Sequence, residues 1–204
     1  MNFPYFLPIV FALFTTPRAF AKTFFSCDDK WSKFGINCYK VFTFYGPYGD
    51  GFADSKGAKT RCEALDANLA SIHGPKESQH VNALIRKSYE QCRQDGVPWC
   101  CDSYVHDGYW IGMTLARADN GTILSAKWSD GTKINYGHPL KTADQAPWYT
   151  PEHRPVQEAK ASNNVCVFIL LTNSGIGWAD FDCDLAKIGG YVCKKKAQKA
   201  VDEG

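Results

Sequence analysis

Three carboxylates on alternate residues, Asp180, Asp182 and Asp184, form a group able to hold a metal. Alternate residues of an extended chain share one face, and a hard cation such as Ca2+ takes about six to eight oxygen ligands. As the start of an EF-hand loop the run fails, because Leu185 stands where that loop needs glycine. The competing reading is a solvated acidic strand end. Nine cysteines offer a second chemistry. The closest spacings, Cys100-Cys101 and Cys92-x7-Cys100, lack the separation of a zinc knuckle. Disulfides are therefore expected, and the odd count leaves one sulfur as a free thiol or in an intermolecular bridge. The five histidines, at 73, 80, 106, 138 and 153, show no zinc-protease pattern, although His73 and His80 lie seven apart on an expected helix. There is no nucleophile elbow and no phosphate loop. Nothing is arranged for catalysis, and we read the chain as not an enzyme.

The chain has 204 residues and a formal charge of +2. Residues 1–21 read as a signal peptide: Phe3 to Phe14 is mostly apolar but too short to span a bilayer, and Ala19-Phe-Ala21 is a small-x-small cleavage pattern. Removing Arg18 with the leader leaves 22 basic against 21 acidic side chains, a balance that argues against a nucleic-acid partner. No other stretch is apolar enough for a membrane anchor. An exported chain rich in cysteine belongs in an oxidising compartment, so secretion to the extracellular space is the expected localisation. Asn120-Gly-Thr122 is a sequon for an N-glycan.

The elements that must position these groups follow from periodicity. Cys27 and Cys38 bracket Trp31 and Phe34, and Tyr39–Phe42 alternates like a strand. Gly46–Gly51 is a loop by its turn residues. Ala58, Arg61, Cys62 and Leu65 lie at helical spacing within Asp54–Leu65. Ser71 precedes a second helix running to about Lys87, with Val81, Leu84 and Ile85 as its buried stripe. Gln91–Asp107 reads as a cysteine-rich loop containing Trp99. Tyr109–Met113 starts a buried strand, Trp128–Gly131 runs into a tight turn, and Asn135–Asn164 shows no sustained period. Val165–Leu171 and Tyr191–Cys193 are strands. Trp31, Trp110, Trp128 and Trp178 are expected in the core, whereas Trp148 and Tyr149, in the irregular segment, are candidates for an exposed ligand surface. Residues 195–204 read as a solvated, frayed tail.

Leu69-Ala-Ser-Ile-His73, Trp110-Ile-Gly-Met113, Trp178-Ala-Asp180, Cys166, Cys183 and Tyr191-Val-Cys-Lys194 occur in an order that resembles the C-type lectin-like domain. The resemblance runs from near Cys27 to Lys194 and implies an α+β fold of two helices and small antiparallel sheets, with a long irregular loop stapled by disulfides. It implies one domain over residues 22–194 and the pairs Cys27–Cys38, Cys62–Cys193 and Cys166–Cys183, leaving Cys92, Cys100 and Cys101 outside the family frame. It also places ligand binding in the long loop. Lectins of this family hold Ca2+ with a Glu-Pro-Asn or Gln-Pro-Asp triplet, a further acid, and the Asn-Asp of a Trp-Asn-Asp strand. Here Trp148 precedes Glu152-His153-Arg154 at the triplet, Asn164 replaces the acid, and Ala179 replaces the asparagine before Asp180. Glu152 and Asp180 are the remnant metal ligands, Glu158 is a spare acid, and Arg154 sets a permanent cation where an oxygen belongs.

The resulting expectation is a secreted recognition module. It binds a glycan or protein ligand through Trp148, Tyr149, Glu152, Arg154, Asn164 and Asp180, without the usual calcium-bridged sugar contact and with no cofactor expected. One alternative is a calcium-dependent lectin with an altered site built on Glu152, Glu158 and Asp180. The other is a structural or effector protein using the fold as a disulfide-linked homodimer.

Overall fold

The computed structural model describes residues 22–43, 54–95, 108–118, 122–139, 146–149, 162–172, 175–184 and 188–202. In chain order the elements are β1 (Lys22–Ser26), β2 (Ser32–Phe34), β3 (Asn37–Thr43), α1 (Ser55–Glu63), β4 (Asn68–Leu69), α2 (Pro75–Gln94), β5 (Gly108–Arg117), β6 (Ile123–Trp128), β7 (Ser162–Thr172), β8 (Gly175–Asp182), β9 (Gly190–Lys196) and β10 (Gln198–Asp202). One sheet runs β2-β3-β9-β5-β7-β8, with β4 added on β9 and β6 on β5. Its pairs are antiparallel except β5 with β9, which are parallel at Tyr109–Gly190 and Trp110–Tyr191.

The unbroken apolar run in β7 is explained by burial on both faces. Val165, Val167, Ile169 and Leu171 join a core with Tyr39, Val81, Ile85, Met113, Trp128 and Trp178. The alternate residues Cys166, Phe168 and Leu170 join a second core with Ala58, Cys62, Leu69, Trp110 and Tyr191. Each helix therefore serves one core: α2 the first through Val81 and Ile85, α1 the second through Ala58 and Cys62.

Local chemistry sets the helix starts. Asp54 caps α1 by accepting a hydrogen bond from the Gly57 amide at 2.7 Å. Pro75 stands at the first turn of α2, where its missing N–H costs nothing. Helix α2 begins after His73, so His73 and His80 do not share a helix, and it continues seven residues beyond Lys87. The extension follows from the stripe Ile85, Tyr89, Cys92, at helical spacing, with Cys92 buried. Four of the residues expected as loop, Gln91–Gln94, are thus helical.

Two further expectations change. Strand β7 begins at Ser162 rather than Val165, shortening the irregular segment. The segment expected to fray contains β10, whose backbone pairs antiparallel with β1 from Gln198–Ser26 to Asp202–Lys22. Pairing, rather than composition, ties this terminus down.

Cys27 is bonded to Cys38, Cys62 to Cys193 and Cys166 to Cys183, the three pairs implied by the resemblance. Cys62–Cys193 joins α1 to β9 across a separation of 131 residues. Cys92 is also disulfide-bonded, to a sulfur outside the described residues. Gly46–Gly51, Trp99, Cys100, Cys101, Asn120, Glu152, Arg154 and Glu158 lie outside the described residues.

Candidate functional site

Trp178 of β8 organises the base of the irregular segment. Its indole, wholly buried, meets Trp128, Tyr136 and Trp148 edge-on, at centroid distances of 5.8, 5.8 and 5.6 Å. Its backbone holds the incoming chain: the Trp178 amide donates to the Pro147 carbonyl at 2.8 Å, and the Tyr149 amide donates to the Trp178 carbonyl at 2.9 Å. Trp148 Nε1 donates to the Gly137 carbonyl at 2.9 Å, and the Tyr149 hydroxyl pairs with Thr172 Oγ1 at 2.5 Å. Gly137 has φ +62°, and a Cβ there would lie 2.4 Å from the Trp178 ring. Only glycine suits both the left-handed backbone and the close approach.

This geometry corrects the assignment of Trp148 and Tyr149 to an exposed ligand surface. They are 4 % and 6 % exposed, because both rings and both polar tips are taken by the fold. Their task is to anchor the segment to β8. Sequence reasoning treated residues in an irregular segment as surface residues; here the segment is sewn down by side chains.

Asp180, two residues beyond Trp178, is 7 % exposed and ion-paired with the Arg117 guanidinium. Arg117 closes β5 just past a register shift after Leu115, and its guanidinium reaches Asp180, which pairs in register with Val167 of β7. Arginine stays protonated, so the cation beside Asp180 is permanent. A divalent ion at this carboxylate would have to displace a buried partner and leave a guanidinium uncompensated. Ala179, where the family has asparagine, packs in the second core with Cys166 and Phe168.

The other acids do not converge on Asp180. Asp182 accepts from the Asp184 amide at 2.9 Å, and Asp184 accepts from Asn164 Nδ2 at 2.5 Å. Asn164 is exposed, and its carbonyl accepts from the Cys183 amide. Among the described residues no three His, Cys, Asp or Glu side chains are grouped to hold a metal. The alternating Asp180, Asp182 and Asp184 therefore do not form the cation site considered from their spacing: one is taken by Arg117 and the others by strand-end turns.

A second polar cluster escaped the sequence reading. Lys194 of β9 is buried and donates to Glu77 Oε1 at 2.7 Å and to the Ser71 carbonyl at 2.8 Å. Tyr39 donates its hydroxyl to the same Glu77 oxygen, and the His73 amide donates to Oε2 at 2.7 Å. Burial pushes the Glu77 carboxyl up, but the bonds from Lys194, Tyr39 and the His73 amide outweigh it and hold the group below its ordinary range. Burial and then Glu77 push the Tyr39 phenol upward, so it stays a donor. Ser71 and Thr132 each donate their single hydroxyl proton to Asp130, at 2.5 and 2.6 Å. His73 Nε2 lies 3.1 and 3.2 Å from those two oxygens. Asp130 is pushed up by burial and more strongly down by Ser71, Thr132 and the charge of Lys194. His80 is held below its ordinary value by burial, partly offset by the Glu77 charge. The missed signals were periodic: Glu77 continues the stripe Val81, Ile85 one turn back, and Lys194 alternates onto the face of Val192.

None of the described helices is long and apolar enough to cross a membrane. The family model described as Lectin C-type domain matches residues 54–195, more than half of the chain. Snaclec A4 of Macrovipera lebetinus is 31% identical over 112 residues, which are 54% of this chain and 59% of that protein, less than two thirds of its length. Snaclec crotocetin-1 of Crotalus durissus terrificus is 28% identical over 177 residues, 86% of this chain and 85% of that protein. The C-type lectin domain of murine dendritic cell inhibitory receptor 2, solved in complex with an N-glycan, superposes with a TM-score of 0.53 at 22% identity, covering 84% of this chain and 99% of that one. At that identity the likeness is one of fold.

Proposed function

The chain belongs to the C-type lectin domain family, whose members are binding proteins rather than enzymes, and from that premise we propose that it is a secreted recognition module working without a calcium-bridged sugar contact. The observation that carries this reading is the buried Arg117–Asp180 ion pair. The remaining aspartate of the family's Trp-Asn-Asp strand is used to hold β5 against β8, so its charge is not available to a metal. Ligand contact, whether glycan or protein, falls to the loop beyond Tyr149, with Glu152, Arg154 and exposed Asn164 as its polar candidates. Trp148 and Tyr149 are themselves held by Gly137, Trp178 and Thr172.

The leader at residues 1–21, seven disulfide-bonded cysteines and the sequon at Asn120 support export as a glycoprotein. With nine cysteines in the chain, at least one sulfur is left as a free thiol or for a partner chain. This admits, as a second reading, a disulfide-linked homodimer; non-reducing gels and mass spectrometry of the secreted protein distinguish it from a monomer with one alkylatable thiol.

The test of the main reading is a glycan and protein array probed with oxidised mature protein in calcium and in EDTA. Binding that is equal in both and reduced by Arg154→Ala is expected. Binding that vanishes in EDTA contradicts the proposal and restores the calcium-dependent lectin.

A further inference from the structure

Beside the Glu77–Lys194 network lies an open cleft of about 510 Å³ lined by residues with polar side chains, including His73, Asp130, Thr132, Lys133, Asn135 and Lys196. Its volume is that of a small-molecule site, for which about 300–1,000 Å³ is usual. Such sites are usually lined by apolar side chains; here each lining residue carries an amide, imidazole, hydroxyl, carboxylate or ammonium group, which suits a ligand covered in hydroxyl and ionic oxygens. Asn37 and Asn68 complete the rim and, with Asn135, supply carboxamides that both donate and accept. That is the pairing vicinal hydroxyls require.

The charges select further. Four lysines line the cleft. Lys194 is neutralised by Glu77 and Lys195 by Asp28, at 2.7 and 2.6 Å. Lys133 and Lys196 are exposed and make no ion pair among the described residues. The one acid on the wall, Asp130, has its oxygens occupied by Ser71, the Thr132 hydroxyl and the Thr132 amide. Two ammonium groups are thus left facing an opening whose carboxylate is already satisfied. The wall is fixed in advance: His73 is held by Asn135 at 2.8 Å on one nitrogen and by the two hydroxyls on the other, which limits the ordering cost of binding. Among the described residues no Phe, Tyr or Trp lines the cleft, and single-stranded nucleic acids rely on successive stacking platforms.

We propose that this cleft is a second recognition site, separate from the long loop, that takes an acidic sugar: a sulfate or carboxylate against Lys133 and Lys196, and ring hydroxyls on the asparagines. It needs no metal, since lysine supplies the positive charge. Its argument does not use the reading of the long loop, because none of the residues named for the cleft belongs to that segment.

The test uses oxidised full-length mature protein in EDTA at about 50 mM salt, where exposed charges are weakly screened. A heparin-derived sulfated tetrasaccharide is titrated by calorimetry, with cellotetraose and a polyglutamate peptide as controls. Lys133→Ala/Lys196→Ala changes two exposed side chains and leaves the buried network intact, and Arg154→Ala reports on the loop. The expected result is binding of the sulfated tetrasaccharide, no binding of cellotetraose, affinity about tenfold weaker in the double lysine variant, and no change in Arg154→Ala. Failure to bind, unchanged affinity in the double variant, tighter binding of polyglutamate, or dependence on Arg154 would each overturn the proposal.

Discussion

Among the described residues two ion pairs are buried, and their surroundings differ. Lys194–Glu77 sits among donors and acceptors that use both carboxylate oxygens and tie β3, β9, the chain before α2 and α2 itself together. Arg117–Asp180 joins the ends of β5 and β8 beside the aromatic base of the long segment, at a position where relatives with the full motif place a metal ligand. A buried charge pair is weak evidence of stability in itself, because desolvation offsets much of the attraction. The first pair is best understood as a latch among four segments. On the function proposed above, the second keeps Asp180 in the fold with a permanent cation rather than at a metal.

Both regions rest on the same frame, so the largest effect should come from breaking that frame. Cys62→Ser or Cys193→Ser removes a link across 131 residues, worth about 4–5 kcal/mol by loop-closure entropy. That is much of a typical domain's stability, and secreted yield should collapse. Equal secretion of Cys62→Ser and the parent would refute the importance assigned to this bridge.

Next comes the latch. Lys194→Ala strands Glu77 in the interior and should cost about 3–5 kcal/mol in chemical denaturation. Lys194→Met with Glu77→Gln should recover part of that loss, because neither variant residue leaves a buried charge. A double variant no better than the single one would show that the network contributes little coupling. Trp148→Ala probes the other region: about 3 kcal/mol is expected from the lost ring and its cavity, with the Lys194 latch intact.

Acid separates the two regions more gently. Glu77 and Asp130 are both held below their ordinary values when folded. Their contribution is therefore present above the unfolded carboxylate range and is lost as pH falls through the depressed folded values. Asp130→Asn should lower the thermal midpoint at pH 7 and lessen the further loss between about pH 5 and pH 3. An acid limb parallel to the parent's would contradict that sign.

How much of this was legible in the chain depends on what kind of pattern carried it. The β7 run and the Ala58–Cys62 face are local periodicities, and they read correctly. The end of α2 was lost because cysteine and tyrosine were counted as loop residues although Tyr89 and Cys92 stay in phase with Ile85. Trp148 was misplaced because an aperiodic segment carries no signal for burial; the pocket that receives its indole is made by Trp178, Gly137 and Pro147, distant in sequence or irregular in backbone. The partner of Asp180 was missed for a similar reason. Arg154 drew attention as the cation within the motif, whereas Arg117, on another strand, is the one that reaches the carboxylate.

The smallest expected effect is also the most decisive. If Asp180 belongs to Arg117, calcium has little to bind at this position. A site weaker than about 10 mM would add only about 0.1 kcal/mol at 2 mM Ca2+, well under one degree for a domain of about 180 residues. The measurement is the thermal midpoint of oxidised mature protein in 2 mM CaCl2 and in EDTA, for the parent, Asp180→Asn and Arg117→Ala. The account predicts coincident midpoints for each protein in the two buffers, with both variants less stable than the parent. A parent midpoint several degrees higher in calcium, saturating below a millimolar and abolished by Asp180→Asn, would contradict it.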